Sequence, residues 1–392
     1  MLATKLNEIS HETLVDACNR KERESATLDF KALLYGKDEK GRNELLKDVC
    51  AFANGDGGDI VIGVTELDGA ADAIRPIGGE TADSAERRMR QILESGAEPR
   101  ILGLQFRCVQ SASGYVLIVR VPKSFDGPHC FFEGNSRRFV IRSGTHTTDL
   151  DYSQLRAAFD RSQSAIERVR NLRIRRVREI EAGATWRPML AGPIALVQVI
   201  PISSIDGRSR IDVASLFNGD YLQFRPEARR WSGASRTLNL DGLVVHQGIS
   251  GGTETTYVQV FRTGMIESLR FAGALLSKDM IVPSRVVAEF SRGAIGASLS
   301  ALKNLEVAGP AIVGLSLQNL GQYAFAVGGN RSFDSGRSDR QSIVVPEVWV
   351  NSIESFDTLD DIVRNLLDVL WQSFDFEKCD GYDSAGKWLW GN

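Results

Sequence analysis

The stretch Leu28-Asp29-Phe30-Lys31 constrains the fold of this chain more than any other. Apolar and charged side chains alternate in it, and in a strand alternate side chains leave opposite faces. A strand over Leu28–Leu33 turns Leu28 and Phe30 into a core and brings Asp29 and Lys31 together on the other face. The next segment narrows the choice. Glu44–Asn54 places Leu45, Leu46, Val49, Phe52 and Ala53 on one helical face, and Gly55-Asp56-Gly57-Gly58 stops it, as glycine in a left-handed turn does. Ile60–Val64 is a short apolar run suited to a central strand buried on both sides. Glu66 falls just past that strand, where loops carry functional groups. Glu24, Asp29, Lys31 and Glu66 are therefore expected to meet in one place.

The remaining pattern predicts an α/β (α+β) chain in two parts. Residues 3–19 read as an amphipathic helix, and Ser84–Gly96 as another. Ile101–Val109 and Tyr115–Val121 form a hairpin around the Ser111–Gly114 turn, and Phe139–Arg142 is a further strand. From Asp151 to Ala182 the pattern is one long helix or a broken pair, rich in arginine at 168, 170, 173, 175, 176 and 178 and ended by Gly183 and Pro188. The division expected from this is a mixed-sheet domain over 1–165, an Arg-rich helical linker over 166–183 and a second α/β domain over 184–392. In that second part Ile194–Ile202, Gly242–His246, Thr256–Arg262, Ala311–Leu317 and Tyr323–Val327 read as strands. Val282–Lys303 and Leu359–Phe374 read as helices, and Gly328–Arg340 as a polar loop. Trp388 and Trp390 close the sequence; docking onto the second domain, or a homo-oligomer contact made by it, would explain them.

Composition removes several function classes. A length of 392 residues suits two domains, and 43% hydrophobic with 25% charged residues is ordinary for a globular chain. The formal net charge of −3 provides no basic field over the whole molecule, so any nucleic-acid site is a local patch. Five widely spaced cysteines without a Cys-x-x-Cys pair support neither zinc nor a disulfide framework. The N-terminal stretch carries acids and lacks a signal-peptide core, and no run reaches the roughly 20 apolar residues of a membrane span. A cytoplasmic protein with reduced thiols is expected.

Three carboxylates near one another suit Mg or Mn, hard cations that prefer oxygen ligands and can polarise a phosphoryl group. Glu24, Asp29 and Glu66 are the candidate ligands; the plain alternative leaves Glu24 and Glu66 as solvated residues at a strand entry and a turn. Lys31 either holds a phosphate or serves as the structural partner of Asp29 or Glu24. Lys123, Arg137, Arg138 and Arg142 are candidates for a phosphate-binding groove, with a solvated strand edge as the alternative. The arginine run at 168–178 spreads round its helix and is partly offset by Glu167, Glu179 and Glu181, so it reads as a solvated face or interdomain contact before a nucleic-acid patch. Asp59 is a weaker candidate as an auxiliary ligand, and His129 reads as a loop histidine with a structural hydrogen bond.

The ordered set of motifs resembles the Schlafen/AlbA-like domain over about residues 20–160. It comprises Glu24, Asp29, Phe30-Lys31, Ala51-Phe52-Ala53-Asn54, Gly57-Gly58, Gly63-Val64 and Glu66. Val121-Pro122-Lys123-Ser124 with Pro128-His129, and Phe139-Val140-Ile141-Arg142-Ser143-Gly144, look like the family's later segments. The resemblance implies a mixed-sheet domain. In eukaryotic Schlafens the matching acids form the metal centre of an endoribonuclease that cuts tRNA and rRNA. Carried over, Glu24, Asp29 and Glu66 would hold the ion, and Glu24, Asp29, Lys31 and Glu66 would be the catalytic set. The chain would then be a metal-dependent endoribonuclease, a bacterial toxin or defence effector. In many bacterial members the same domain is labelled DNA-binding or ATP-binding, so a non-catalytic nucleic-acid- or nucleotide-binding regulator is the alternative. This chain departs from the pattern in having aspartate at 29, where glutamate is commoner, and glutamate at 66, where aspartate is commoner.

Overall fold

The computed structural model describes residues 2, 6–205, 211–225, 234–249, 253–274, 280–307, 309–329, 332–353 and 359–390. It is an α/β protein of two compact units, Met1–Ala165 and Ile166–Asn392.

In the first unit, α1 (His11–Asn19) follows a 3-10 turn at Leu6–Glu8. The helix expected over 3–19 is thus broken, because the Ser10 side chain takes the Thr13 N–H and starts α1 there; residues 3–5 lie outside the described set. β1 (Leu28–Lys31) leads into α2 (Glu39–Asn54), then β2 (Gly58–Ile62). β1 and β2 pair in parallel, Leu28 opposite Asp59 and Lys31 opposite Ile62, so β1–α2–β2 is a crossover unit. The helix starts at Glu39, five residues before the expected Glu44, capped by Asp38, whose side chain accepts from the Gly41 N–H. β3 (Val64–Leu67) and β4 (Ala70–Ile74) make a small hairpin, followed by α3 (Ala82–Gly96) and a short β5 (Ala97–Glu98). β6 (Gln105–Ser111) and β7 (Gly114–Val121) form the expected hairpin, although its first strand begins at Gln105.

The main sheet has the order β1-β2-β7-β6. A second sheet joins β5 to β8 (Cys130–Glu133), β9 (Ser136–Ser143) and β10 (His146–Asp149). Both faces of the main sheet are covered. Ile60, Ile62, Leu117, Val119 and Val121 pack with Leu45, Val49 and Phe52 of α2 and Met89 and Leu93 of α3. Leu28, Phe30, Val61, Val116 and Ile118 pack with Leu14 and Cys18 of α1. Asp29 and Lys31 therefore lie on the α2 side of an edge strand that is covered on both faces. The glycine turn after α2 is required by close approach: a Cβ on Gly57, whose φ is +71°, would stand 2.6 Å from the Lys123 amide nitrogen.

α4 (Tyr152–Glu181) is one continuous helix. Its C-terminal half belongs to the second unit, where it lies on one face of an eight-stranded antiparallel sheet. That sheet contains, in spatial order, β12 (Ser235–Leu238), β13 (Gly242–Ile249), β14 (Thr253–Phe261), β15 (Ile266–Phe271), β11 (Ile194–Pro201), β17 (Ala311–Gln318) and β20 (Ile343–Val344), with β21 (Val348–Val350) beside β17. The helices α5 (Val213–Asn218), α6 (Ser284–Asn304) and α7 (Leu359–Gln372) bury their apolar faces in the larger core on the sheet's other side. β16 (Ile281–Pro283), β18 (Ala324–Gly329) and β19 (Ser332–Gly336) form a small third sheet, so part of the expected polar loop 328–340 is strand.

The Arg-rich stretch is a built part of this unit and not a linker. Val169, Arg173, Val177 and Ile180 are buried along one side of α4. The Arg173 guanidinium donates to the Leu315 and Val345 carbonyls and pairs with Glu347 at 3.2 Å, while Arg170 pairs with the same carboxylate at 2.6 Å. Arg176 reaches the fully buried Glu267 at 2.8 Å and Glu179 at 2.7 Å. Gly314 makes room for Arg173: a Cβ there would come within 2.2 Å of its Nε. The terminal tryptophans dock onto their own unit. Trp388 stacks edge-on against Tyr382, with Arg292 and Arg285 of α6 over the Trp388 and Trp390 rings at 5.4 and 5.8 Å.

Candidate functional site

Three segments meet at the open edge of β1. The Glu24 N–H donates to the Gly69 carbonyl at the tip of the β3–β4 hairpin, so that hairpin fixes Glu24 near Glu66. Glu24 Oε1 accepts the Phe30 N–H at 2.9 Å across the turn that precedes β1. Partial burial raises the Glu24 pKa from 4.5 to about 6; the charges of Asp29 and Glu66 add to the rise, while the Phe30 amide and Arg142 oppose it. Glu24 is half-buried and Glu66 is exposed.

Asp29 is only 4% exposed, and its carboxylate is spanned by two cations. Oδ1 lies 2.9 Å from Arg142 Nη2, and Oδ2 lies 3.0 Å from Lys31 Nζ. Lys31 is also 3.3 Å from Asp48 Oδ2, and the same oxygen accepts the Tyr35 hydroxyl at 2.9 Å. Burial alone would push the Lys31 ammonium down, but Asp48 and Asp29 beside it hold its pKa above the ordinary lysine value. Burial pushes the Asp48 carboxyl up against the pull of Lys31. The Asp29, Asp48, Lys31 and Arg142 side chains together are formally neutral. Asp48 and Tyr35 are members of this buried cluster that the motif reading misses. A signal was present: Asp48 interrupts the Leu45, Val49 and Phe52 stripe of α2, where a buried carboxylate is costly unless paired.

The predicted basic groove is not assembled. Arg142, far from lining a surface, is 7% exposed; it donates to the Ser25 and Leu28 carbonyls and lies 4.7 Å over the Phe52 ring, bracing the β1 entry. Lys123 is 3.3 Å from Asp56. Arg137 is 2.9 Å from Glu98, and Arg138 is chelated by Asp149 at 2.7 and 2.9 Å and also pairs with Glu133. Lys123, Arg137 and Arg138 thus stand at the surface with carboxylate partners. Asp59 is fully buried and tied to Arg120 at 2.8 Å, so it is no auxiliary ligand. His129 is structural, as its loop setting predicts, with Nδ1 2.7 Å from the Pro99 carbonyl and Nε2 2.6 Å from Ser124 Oγ.

The arrangement does not fit a divalent ion held by the three predicted acids. Among the described residues no set of three His, Cys, Asp or Glu side chains stands at ligand separation. Asp29, the middle member, already has both oxygens in ion pairs. The shorter aspartate keeps its carboxylate buried in these ion pairs, while Glu24 senses its charge from outside.

An edge strand carrying paired acids and a lysine, a parallel crossover through an alanine–phenylalanine–alanine–asparagine helix end, and a following acidic hairpin define a domain class that comparison with known proteins names. Residues 24–151, within the first unit, match the family described as Schlafen, AlbA_2. Two solved structures are similar over about a third of this chain. One is the N-terminal domain of a Nitrosomonas europaea protein described as related to the ATP-dependent DNA helicase RecG, with 23% identity, a TM-score of 0.24, and coverage of 30% of this chain and 74% of that one. The other is a Corynebacterium diphtheriae protein with 16% identity and a TM-score of 0.26, matched over 36% of this chain and 27% of its own length. No curated protein matches the chain. No helix among the described residues is long and apolar enough to cross a membrane.

Proposed function

We propose that the N-terminal unit binds RNA and cleaves its phosphodiester backbone, with structured RNA such as tRNA as substrate and the Glu24, Asp29, Lys31 and Glu66 cluster as reaction centre. The family match supports a role on nucleic acid. The observation that carries the reading further is Glu24: a half-buried carboxyl with a pKa near 6 is a competent general base near neutral pH. In the reaction proposed, Glu24 takes the proton of a ribose 2′-hydroxyl, the 2′-oxygen attacks the adjacent phosphorus, and the bond to the 5′-oxygen breaks, with water supplying the leaving group's proton. Lys31, paired with Asp29, would offset the charge that develops on the phosphoryl oxygens. Because the acids do not form a ligand set, no step runs through a metal.

The test is incubation of the full chain with total tRNA, with added Mn and separately with EDTA, beside Glu24→Gln. Discrete fragments ending in 2′,3′-cyclic phosphate, absent with Glu24→Gln, are the expected result. Intact tRNA under every condition, together with RNA or nucleotide binding in an anisotropy assay, would replace this reading with that of a non-catalytic binding regulator. The double ion pairing of Asp29 is the observation that favours that second reading.

A further inference from the structure

Asp48 and Tyr35 pose a question that the fold does not answer. Each is 5% exposed, so neither can touch a polymeric ligand. Replacing a buried ion pair by well-packed apolar residues is often neutral or stabilising, and the neighbours Leu45, Val49 and Phe52 show that α2 would accept an apolar residue at 48. Their polar atoms converge on Lys31. An ammonium has three N–H donors. Asp29 and Asp48 pair with that ammonium at 3.0 and 3.3 Å, and the Lys31 side chain remains 28% exposed, so its charge can also meet a group arriving from solvent. Tyr35 directs Asp48 by donating to the same Oδ2 that faces Lys31.

We propose that Asp48, held by Tyr35, is a positioning residue that fixes Lys31 as a protein-borne cation for a phosphate oxygen of RNA, at the place where the family resemblance would put a divalent ion. The inference rests on the RNA reading above. Its chemistry is that of a fixed ammonium: a point charge, independent of chelators and sensitive to salt.

The sign of one substitution separates this role from simple electrostatics. Asp48→Asn removes a negative charge near a polyanion, so long-range attraction alone would tighten RNA binding. Loss of a fixed Lys31 would weaken it. The experiment measures anisotropy of a fluorescein-labelled RNA hairpin with the full-length protein, for wild type, Asp48→Asn, Tyr35→Phe and Lys31→Gln, each with Mg and with EDTA. The Lys31 ammonium is followed in parallel by 15N NMR, in which a hydrogen-bonded lysine ammonium is protected from exchange. The expected result is affinity weakened about tenfold in Asp48→Asn and less in Tyr35→Phe, unchanged by EDTA, with loss of the protected Lys31 signal and a salt slope reduced by about one in Lys31→Gln. RNA binding by Asp48→Asn as tight as or tighter than wild type overturns the proposal, as does binding that requires Mg. If wild type binds no RNA, the RNA reading fails on that result alone. The clamp is then judged by the NMR arm: a protected Lys31 signal that survives Asp48→Asn refutes it, and loss of that signal with the fold retained upholds it.

Discussion

The Glu24 carboxyl should make the protein less stable as pH rises, and replacing it should reverse that. Its folded pKa lies above its unfolded one, so below about pH 4.5 it is protonated in both states and has no effect. Between 4.5 and about 6 the unfolded chain ionises first and stability falls; above about 6 the full loss is present. At about 1.4 kcal/mol per pH unit, the rise of about 1.5 corresponds to about 2 kcal/mol. The group is partly solvated, which reduces this to about 1–2 kcal/mol. Glu24→Gln keeps the shape and a carbonyl oxygen for the Phe30 amide while removing the charge. It should therefore match wild type near pH 4 and exceed it by about 1–2 kcal/mol above pH 7, while losing the proposed cleavage activity. Scanning calorimetry across that pH range is the suitable assay. The six tryptophans all lie in the second unit, so their fluorescence would not follow the first. A stability difference that does not change with pH, or a Gln variant less stable than wild type at high pH, would refute the argument.

Further outcomes follow from the same geometry. The cleavage rate should rise with pH and level off above about 6 as Glu24 loses its proton, which a single-turnover pH profile would check. Asp29→Ala leaves Arg142 and Lys31 without their shared carboxylate, and denaturant unfolding should show a loss of about 3–5 kcal/mol, well beyond a surface change. Gly314→Ala should destabilise the second unit by about 1–3 kcal/mol by driving a Cβ into Arg173, and in a double-mutant cycle the cost should shrink when Arg173→Ala is already present.

What was legible in the sequence was the periodicity. Leu28 and Phe30, the helix stop at the glycine turn and the β6–β7 hairpin follow from alternation and breakers, and Glu24 lies close enough to Asp29 and Glu66 to feel their charges. Hidden from it was which charges are spent on one another. Arg142 resembles a surface arginine at a strand end, yet it reaches back across more than a hundred residues to cap the β1 entry. Asp48 and Arg173 each occupy the centre of an apolar helical stripe, and only the facing element shows the partner that makes the position tolerable. The β3–β4 hairpin has no strong alternation to announce it, and its turn at Asp68-Gly69 shows only in the structure, where Asp68 takes a left-handed φ of +52°. The arginine run looks like a charge pattern, but its phase along α4, with Arg173 between the buried Val169 and Val177, makes it an anchor.

That anchor sets where the chain can be cut. Gly183 looks like a natural end for an expression clone of the second half, since it lies just beyond the end of α4. Val177 and Ile180 nevertheless cover Leu196, Val244, Tyr257 and Leu269 on the sheet. A fragment starting at residue 184 would leave that apolar face open and Glu267 buried without its arginine, a recipe for insoluble material. Soluble preparations of the second unit should begin no later than Ile166, in the middle of a helix, where no boundary chosen from composition would fall.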